Sequence, residues 1–277
     1  MANKFDIAYD HLVRNIQTEG ELIEGRNGPM TELFGPSISF NLELEFPILT
    51  GRKLYPRGVF GELSAFLKGA STLAEFEAEG CNYWEDWAFS DGSLGPIYGF
   101  QWRKWGPDGH DQIRALIEGI HKRPHSRRHV VTAWEPTALN LMCLPPCYPT
   151  FQVRIGPGTR YRGRGFQKQP MPLDLVVNQR SADVMIGLPS DIILFATLMH
   201  LLANETGMIP RNLTFHLGSA HIYWAHHHTA NEYLERDKPD GYSILASHNM
   251  RVDTFIPAMV QVHNYQPLPP LKFELFK

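Results

Sequence analysis

Ile192-Ile193-Leu194-Phe195-Ala196-Thr197-Leu198-Met199-His200-Leu201-Leu202-Ala203 is apolar on nearly every side. A helix that is hydrophobic all round has no face to offer water, so its place is the middle of a domain with other elements packed around it. The run contains His200 and falls short of the ~20 apolar residues that a bilayer span needs, so a core helix is expected and no membrane partner. On both sides of it the hydrophobic period changes. Residues 149–155 and 174–180 upstream, and Thr214 to Leu217 and 252–262 downstream, read as strands. A buried helix set among strands gives a mixed α+β chain.

Further out, Phe5, Ala8, Leu12 and Ile16 recur at helical spacing and predict an opening helix that ends near Gly20. Short strands are expected between Gly25 and Gly51, where Ser37 to Leu42 alternates by twos, followed by helices at about 59–68 and 71–79. Ile113, Leu116, Ile117 and Ile120 mark a helix that runs into the basic stretch His121 to Arg128. Val130 to Trp134 reads as a strand and about 221 to 235 as a helix. The Gly/Arg-rich piece Gly156 to Gly165 fits a long hairpin loop. With 277 residues, 43% of them hydrophobic and 12% aromatic, the chain can bury a substantial core; lacking a low-complexity linker or a repeat, residues 1–277 are read as one catalytic domain.

A net charge of -3 argues against a general nucleic-acid binder, so nucleic acid is not an expected partner and anion recognition is expected to be local. Three cysteines, Cys81, Cys143 and Cys147, form no CxxC pair and suggest neither a disulfide framework nor a zinc site. A reducing compartment fits, and with no apolar signal core at the start the cytoplasm is expected.

Cys147 lies in Leu144-Pro145-Pro146-Cys147-Tyr148-Pro149-Thr150. The prolines restrict the backbone entering it, and a nearby guanidinium would stabilise the thiolate, the form that attacks; Arg180 is the natural candidate. Arg127-Arg128 reads as a solvated helix end or as part of a phosphate site. Separated arginines suit phosphate because each presents paired planar donors, and Arg26 beside Asn27-Gly28 adds a further one from a loop. Glu62, in Gly61-Glu62-Leu63-Ser64-Ala65-Phe66-Leu67, is either an exposed helical glutamate or a buried carboxyl with a raised pKa that relays protons. His226, His227 and His228 point in different directions on a helix and are expected at the surface, with no metal.

The chain resembles the thymidylate synthase family from about Arg26 to Lys272. The resemblance is carried by Leu-Pro-Pro-Cys147, Gln179-Arg180-Ser181-Ala182-Asp183-Val184, Trp84-Glu85-Asp86-Trp87, Gly95-Pro96-Ile97-Tyr98-Gly99, Ser126-Arg127-Arg128 and Ala220-His221-Ile222-Tyr223. It implies an α+β fold with a twisted mixed sheet at a homodimer interface, packed against helices. Arg26, Arg180, Ser181 and Gln179 would then serve the nucleotide from one subunit while Arg127 and Arg128 reach in from the other. His221 and Tyr223 would meet the deoxyribose hydroxyl. Trp84, Asp183 and Gly187 match folate positions, the co-substrate being 5,10-methylenetetrahydrofolate. The implied chemistry is addition of the Cys147 thiolate to pyrimidine C6, with Glu62, Tyr98 and Asp191 completing the catalytic set.

Departures from the synthase pattern direct the reading of the substrate. The family's synthases carry asparagine at Asp191; a carboxyl there accepts from the cytosine 4-amino group and, when protonated, donates to N3. Deoxycytidylate hydroxymethylases of the family share that aspartate and resemble Gly218-Ser219-Ala220-His221. Tyr148 replaces a histidine, Ser190 a phenylalanine, and the chain ends Lys272-Phe273-Glu274-Leu275-Phe276-Lys277 instead of in a small apolar tail. Altered closure would let water cap the transferred carbon. The expected activity is therefore dCMP 5-hydroxymethylation. The alternatives are dCMP methylation, thymidylate synthesis on dUMP, or a noncatalytic nucleotide- or RNA-binding relative. Modified cytosine nucleotides suit a virus that disguises its DNA, which would make the cytoplasm that of a host.

Overall fold

The computed structural model describes residues 3–162, 165–168, 170–247 and 250–276. Helix α1, Lys4–Glu19, starts at Asn3, whose side chain accepts from Phe5 N–H at 2.7 Å, and buries Phe5, Tyr9, Leu12, Val13 and Ile16 on one stripe. Strands β1 (Glu21–Gly25), β2 (Gly28–Phe34) and β3 (Ser37–Asn41) follow, then helices α2 (Pro56–Lys68), α3 (Leu73–Ala78), α4 (Tyr98–Arg103) and α5 (Gln112–Lys122). Next come β4 (Val130–Thr132), β5 (Thr150–Ile155), β6 (Thr159–Arg162), β7 (Gly165–Lys168) and β8 (Pro172–Asp183). Helix α6 (Gly187–Thr206), strand β9 (Ile209–Tyr223), helix α7 (His227–Glu235) and strands β10 (Ile244–Ser247) and β11 (Val260–His263) complete the order.

The apolar run forms α6, which bridges β8 and β9, the one parallel pair in the main sheet among the described residues. A parallel pair requires a crossover, and a helix supplies it. That sheet runs β1-β2-β9-β8-β5-β4, with β3 also on β9, and its other pairings are antiparallel, so it is mixed. Phe151, Val153 and Ile155 of β5, Leu173, Leu175 and Val177 of β8, and Leu213, Phe215 and Leu217 of β9 are buried with Leu194, Phe195, Leu198 and Leu201 of α6 in one core cluster. Each such side chain contributes roughly 1.5–3 kcal/mol on burial. Alternate positions, among them Gln152, Arg154, Asn178 and His216, are exposed. The mixed sheet packed against helices is the α+β class expected.

Helix α6 begins at Gly187 and reaches 20 residues, long and apolar enough by length and composition to cross a membrane. The expectation of a shorter run is corrected there, although most of the helix is buried inside the protein. Strand β9 runs to Tyr223, so the helix expected from 221 begins only at His227. Met30, Thr31 and Glu32 of β2 pair with Tyr223, Ile222 and His221, and that pairing outweighs local helical preference. Helix α4 was not expected. Within 252–262, only Val260–His263 is a strand, because Pro257 opens a single helical turn before it. The Gly156 to Gly165 piece is the outgoing arm of the β6/β7 hairpin, and its residues 163 and 164 lie outside the described residues.

Candidate active site

Pro145 and Pro146 lead into Cys147 with carbonyls free to accept, and Arg180 of β8 takes both, through Nη2 at 2.9 Å and Nε at 2.8 Å. Arg180 N–H donates to Cys147 O at 2.7 Å, fastening this loop to the strand. The Arg180 guanidinium lies 5.6 Å from the Trp134 ring centre. Of the five N–H donors of an arginine, three remain for an anion. Cys147 N–H donates to the Tyr98 hydroxyl at 2.7 Å, which brings the phenol beside the thiol. Burial pushes the thiol pKa above the usual cysteine range; Arg180 opposes that shift, and Asp191 adds to it.

Tyr98 starts α4 after Gly95, whose φ of 73° and contact with Leu141 leave no room for a side chain: a Cβ there would sit 1.9 Å from the Leu141 carbonyl oxygen. Tyr148 is buried rather than presented to the cleft. Its ring stacks on Tyr98 at 4.2 Å and meets Phe195 edge-on at 4.9 Å, so the residue that replaces a histidine acts as a wall behind the nucleophile.

Glu62 lies on the buried face of α2 and is 8% exposed. Trp84 Nε1 donates to its Oε1 at 2.7 Å and Tyr83 OH to its Oε2 at 2.9 Å. Burial raises its pKa to about 7, against the two hydrogen bonds that lower it. The buried alternative expected for Glu62 is the observed one.

Asp191, in the second turn of α6, accepts from Gln179 Nε2 on Oδ2 at 2.7 Å. Gln179 is buried, and its Nε2 also donates to Ser181 O at 3.2 Å. Two acceptors orient the amide, and its Oε1 is left buried without a partner. Burial, then the neighbouring Glu62, holds the Asp191 carboxyl pKa well above the usual carboxylate range. A Cβ on Gly187 would have Asp191 Oδ2 at 3.9 Å as its one near neighbour, so Gly187 leaves open the rim above that carboxyl.

The parallel register sets Ser181 beside Ser219 and Asp183 beside His221, while β2 sets Glu32 beside His221. Asp183 Oδ1 accepts from Met185 N–H at 3.0 Å and Ile186 N–H at 3.1 Å, and burial raises its pKa against the pull of His226 and His221. His221 is pushed below the ordinary histidine value by burial, opposed by Asp183. Ser219 Oγ lies 3.2 Å from His221 Nδ1 and donates to Glu32, so the serine of Gly218-Ser219-Ala220-His221 has a carboxylate behind it from the adjacent strand. Met30 of β2 pairs with Tyr223, and Gly25 with Gly28, so the β1–β2 turn carrying Arg26 lies at the Tyr223 end of β9.

Cys147 with Tyr98 and Arg180, Glu62 with Trp84, Gln179 with Asp191 and Ser181, and Asp183 with His221 are thus each brought together by the contacts above. Arg127 and Arg128 are not among them. They are exposed on the loop before β4, where Arg127 lines an open groove of about 390 Å³ with His125, Gln152 and Arg154.

The surface placement expected for all three histidines fails at His226. Trp224 to His226 is a single tight turn that tucks this ring inside, with Nε2 2.8 Å from Glu274 O and Nδ1 unpartnered. Phe273 packs between His226 at 5.2 Å and the Arg52 guanidinium at 5.0 Å, and Phe276 stacks on Tyr223 at 4.4 Å. The aromatic tail therefore docks against His226 and Tyr223. Tyr83 and Glu32 were not singled out from sequence; each acts across elements, where no local period marks it. Among the described residues no group of three His, Cys, Asp or Glu side chains is placed to hold a metal ion.

A family model described as Thymidylate synthase matches residues 7–276. A curated protein named thymidylate synthase, from Corynebacterium aurimucosum, is 35% identical over 285 aligned residues that span 99% of this chain and 99% of that protein.

Proposed function

The chain belongs to the thymidylate synthase family, whose members transfer one carbon to a pyrimidine nucleotide, and from that premise we propose that it is a dCMP 5-hydroxymethylase. The observation that carries the choice of base is Asp191. Its carboxyl is enclosed, holds its proton more tightly than an ordinary aspartate, and has one oxygen occupied by Gln179. A protonated carboxyl donates to cytosine N3 and accepts from the 4-amino group. As the thiolate adds to C6, N3 becomes more basic and draws that proton, so the contact strengthens toward the transition state. Facing uracil O4, an ionised Asp191 would be repelled.

Cys147 is the nucleophile in this scheme. Its Sγ forms a bond to C6, the 5,6 double bond supplies electrons to C5, and C5 becomes the carbon that attacks. Tyr98 steadies the sulfur, and Arg180 with Arg26 holds the phosphate. His221 and Tyr223 meet the sugar, with Glu32 acting through Ser219 to orient the imidazole. Glu62, with a pKa near 7, exchanges the C5 proton with solvent. The residues that fit the folate are Trp84 on the Glu62 side, Asp183, and Gly187, which keeps the rim above Asp191 open. 5,10-Methylenetetrahydrofolate would supply the carbon at the oxidation level of formaldehyde. C5 would bond to that carbon, and loss of the C5 proton with cleavage of the carbon–nitrogen bond would release tetrahydrofolate and leave an exocyclic methylene. Water addition with breakage of the C6–S bond would complete hydroxymethyl-dCMP.

Arg127 and Arg128 have no role in their own cleft in this scheme; they serve the partner's site in a homodimer formed through the exposed face of the main sheet. Thymidylate synthesis on dUMP is the second reading, favoured by the printed name of the Corynebacterium relative. Tritium release from C5-labelled dCMP and dUMP, with methylenetetrahydrofolate present, separates them. Product mass then separates hydroxymethyl from methyl, because addition of CH₂O is heavier than addition of CH₂ by one oxygen. Release from dUMP alone would overturn the assignment of Asp191, and a methyl product would overturn capture by water.

A further inference from the structure

We propose that Tyr83 is a positioning residue for the acid–base step: its hydroxyl holds the second oxygen of the buried Glu62 carboxyl and sets the pH at which that group ionises. The inference rests on the part assigned above to Glu62. Glu62 is 8% exposed, whereas Tyr83 is 40% exposed as a residue, with its hydroxyl end turned inward onto the carboxyl. The Tyr83 hydroxyl donates to Glu62 Oε2 at 2.9 Å, and burial raises its own pKa well above the usual phenol range, so it stays a neutral donor to that carboxyl.

The local backbone is built for this contact. Gly61, next to Glu62, lets the turn at residues 79–81 press against α2; a Cβ there would sit 2.5 Å from Glu79 O and 3.0 Å from Cys81 N. Gly58, one turn earlier, lies under the Tyr83 ring, with a Cβ there 3.2 Å from Tyr83 Cε1. Tyr83 therefore lies across the first turn of α2, with its hydroxyl reaching Glu62.

The titratable groups around Glu62 are Cys81, Tyr83, Tyr98, Tyr148 and Asp191. Burial raises all five, first among the causes, so the thiol and the three phenols stay neutral at ordinary pH and Asp191 keeps its proton above the usual carboxylate range. Among the described residues, Trp84 and Tyr83 are the hydrogen-bond donors to Glu62. Donation to a carboxylate favours its charged form. Loss of the Tyr83 hydroxyl therefore raises the pKa of Glu62 from its value near 7.

The test is Tyr83→Phe in the full chain, assayed across pH by C5 tritium release with whichever nucleotide the wild type turns over. The acidic limb of kcat should move up by roughly one pH unit, the effect of one hydrogen bond to a charged group, with activity recovered at high pH and KM little changed. Gly58→Ala, which displaces the ring by a few tenths of an ångström, should move the limb less and in the same direction. An unmoved limb, or a loss of the same size at every pH, overturns the proposal. Infrared titration of the Glu62 carboxyl band, assigned with Glu62→Gln, reads the same pKa without turnover. A wild type that releases tritium from neither nucleotide sinks the catalytic scheme, while the infrared midpoint still decides whether Tyr83 controls Glu62.

Discussion

Replacing Asp191 with asparagine keeps the shape of the side chain and exchanges one oxygen for an NH₂. Gln179 Nε2 donates to the carboxyl at 2.7 Å, and the amide oxygen of asparagine can take that same bond, so the new NH₂ falls on the side facing the base. Cytosine then loses the proton donor for N3, and its amino group meets another donor. Uracil gains a donor for O4. Leaving a buried polar group unpaired costs about 1–3 kcal/mol, and each ~1.4 kcal/mol is tenfold in rate. Counting one mismatch lost for dUMP and one gained for dCMP, the ratio of kcat/KM should swing toward dUMP by about 100-fold or more. The assay is competitive tritium release from an equimolar mixture, which reads the ratio free of errors in enzyme concentration. Thermal melts provide the control: burial raises the Asp191 pKa, so its ionisation costs stability as pH rises from the ordinary aspartate range through the folded pKa. Asp191→Asn should remove that loss and melt higher than wild type at alkaline pH. A ratio that stays within about threefold of wild type, in a variant that melts as expected, would refute the role given to this residue in choosing the base.

Cys147→Ser should abolish tritium release while nucleotide binding measured by calorimetry persists; normal turnover would exclude the covalent scheme. Because burial holds the thiol above the ordinary cysteine range against Arg180, alkylation of the free protein by iodoacetamide should accelerate as pH rises past that range, and Arg180→Ala should move the midpoint higher still. Gly95→Ala forces a Cβ to 1.9 Å from the Leu141 oxygen at a φ of 73°, so urea melts should show a loss of about 3–5 kcal/mol. A midpoint equal to wild type would mean that this turn yields easily. Mixing Cys147→Ser subunits with subunits carrying Arg127→Ala and Arg128→Ala, each inactive alone, should restore activity if the arginines serve the partner's site; no recovery after verified subunit exchange counts against a shared site.

Much of the fold was legible because α6 and the strands on either side of it have unambiguous periods. The boundaries that moved did so where pairing across elements overrode local pattern. His221 to Tyr223 looks helical next to 227–235, but β2 supplies a strand partner that no local window contains. The same division runs through the site. Cys147, Arg180 and Asp191 were visible as residue types in informative company. Glu62 was left between two readings, since an isolated glutamate in an apolar helix says nothing of the two donors that reach it from residues 83 and 84. His226 misled because three adjacent histidines were assumed to share one helix, whereas the first belongs to the turn before it.

Four of the departures from the synthase pattern, at Ser219, Tyr148, Asp191 and the tail, make contacts of their own, and that bears on whether this site is working or decayed. Ser219 stands beside His221, and Glu32 brings a carboxylate to its hydroxyl from the neighbouring strand. Tyr148 takes a histidine's place and is held between Tyr98 and Phe195 by ring packing. Asp191 is oriented by an amide whose own orientation Ser181 O fixes. The aromatic tail closes on His226, Arg52 and Tyr223. A site drifting free of function would accumulate buried polar groups with nothing to pair, each costing about 1–3 kcal/mol. Here Gln179 Oε1 beside Asp191, and His226 Nδ1 and Arg52 Nε beneath the tail, are left unpaired among the described residues, so the case against decay rests on Cys147 and Glu62. A noncatalytic nucleotide- or RNA-binding relative gives no reason for Cys147 to keep its contact with Tyr98 or for Glu62 to be buried against two donors. An enzyme that must move a proton at C5 requires a carboxyl that titrates near neutrality, and the surroundings of Glu62 supply one.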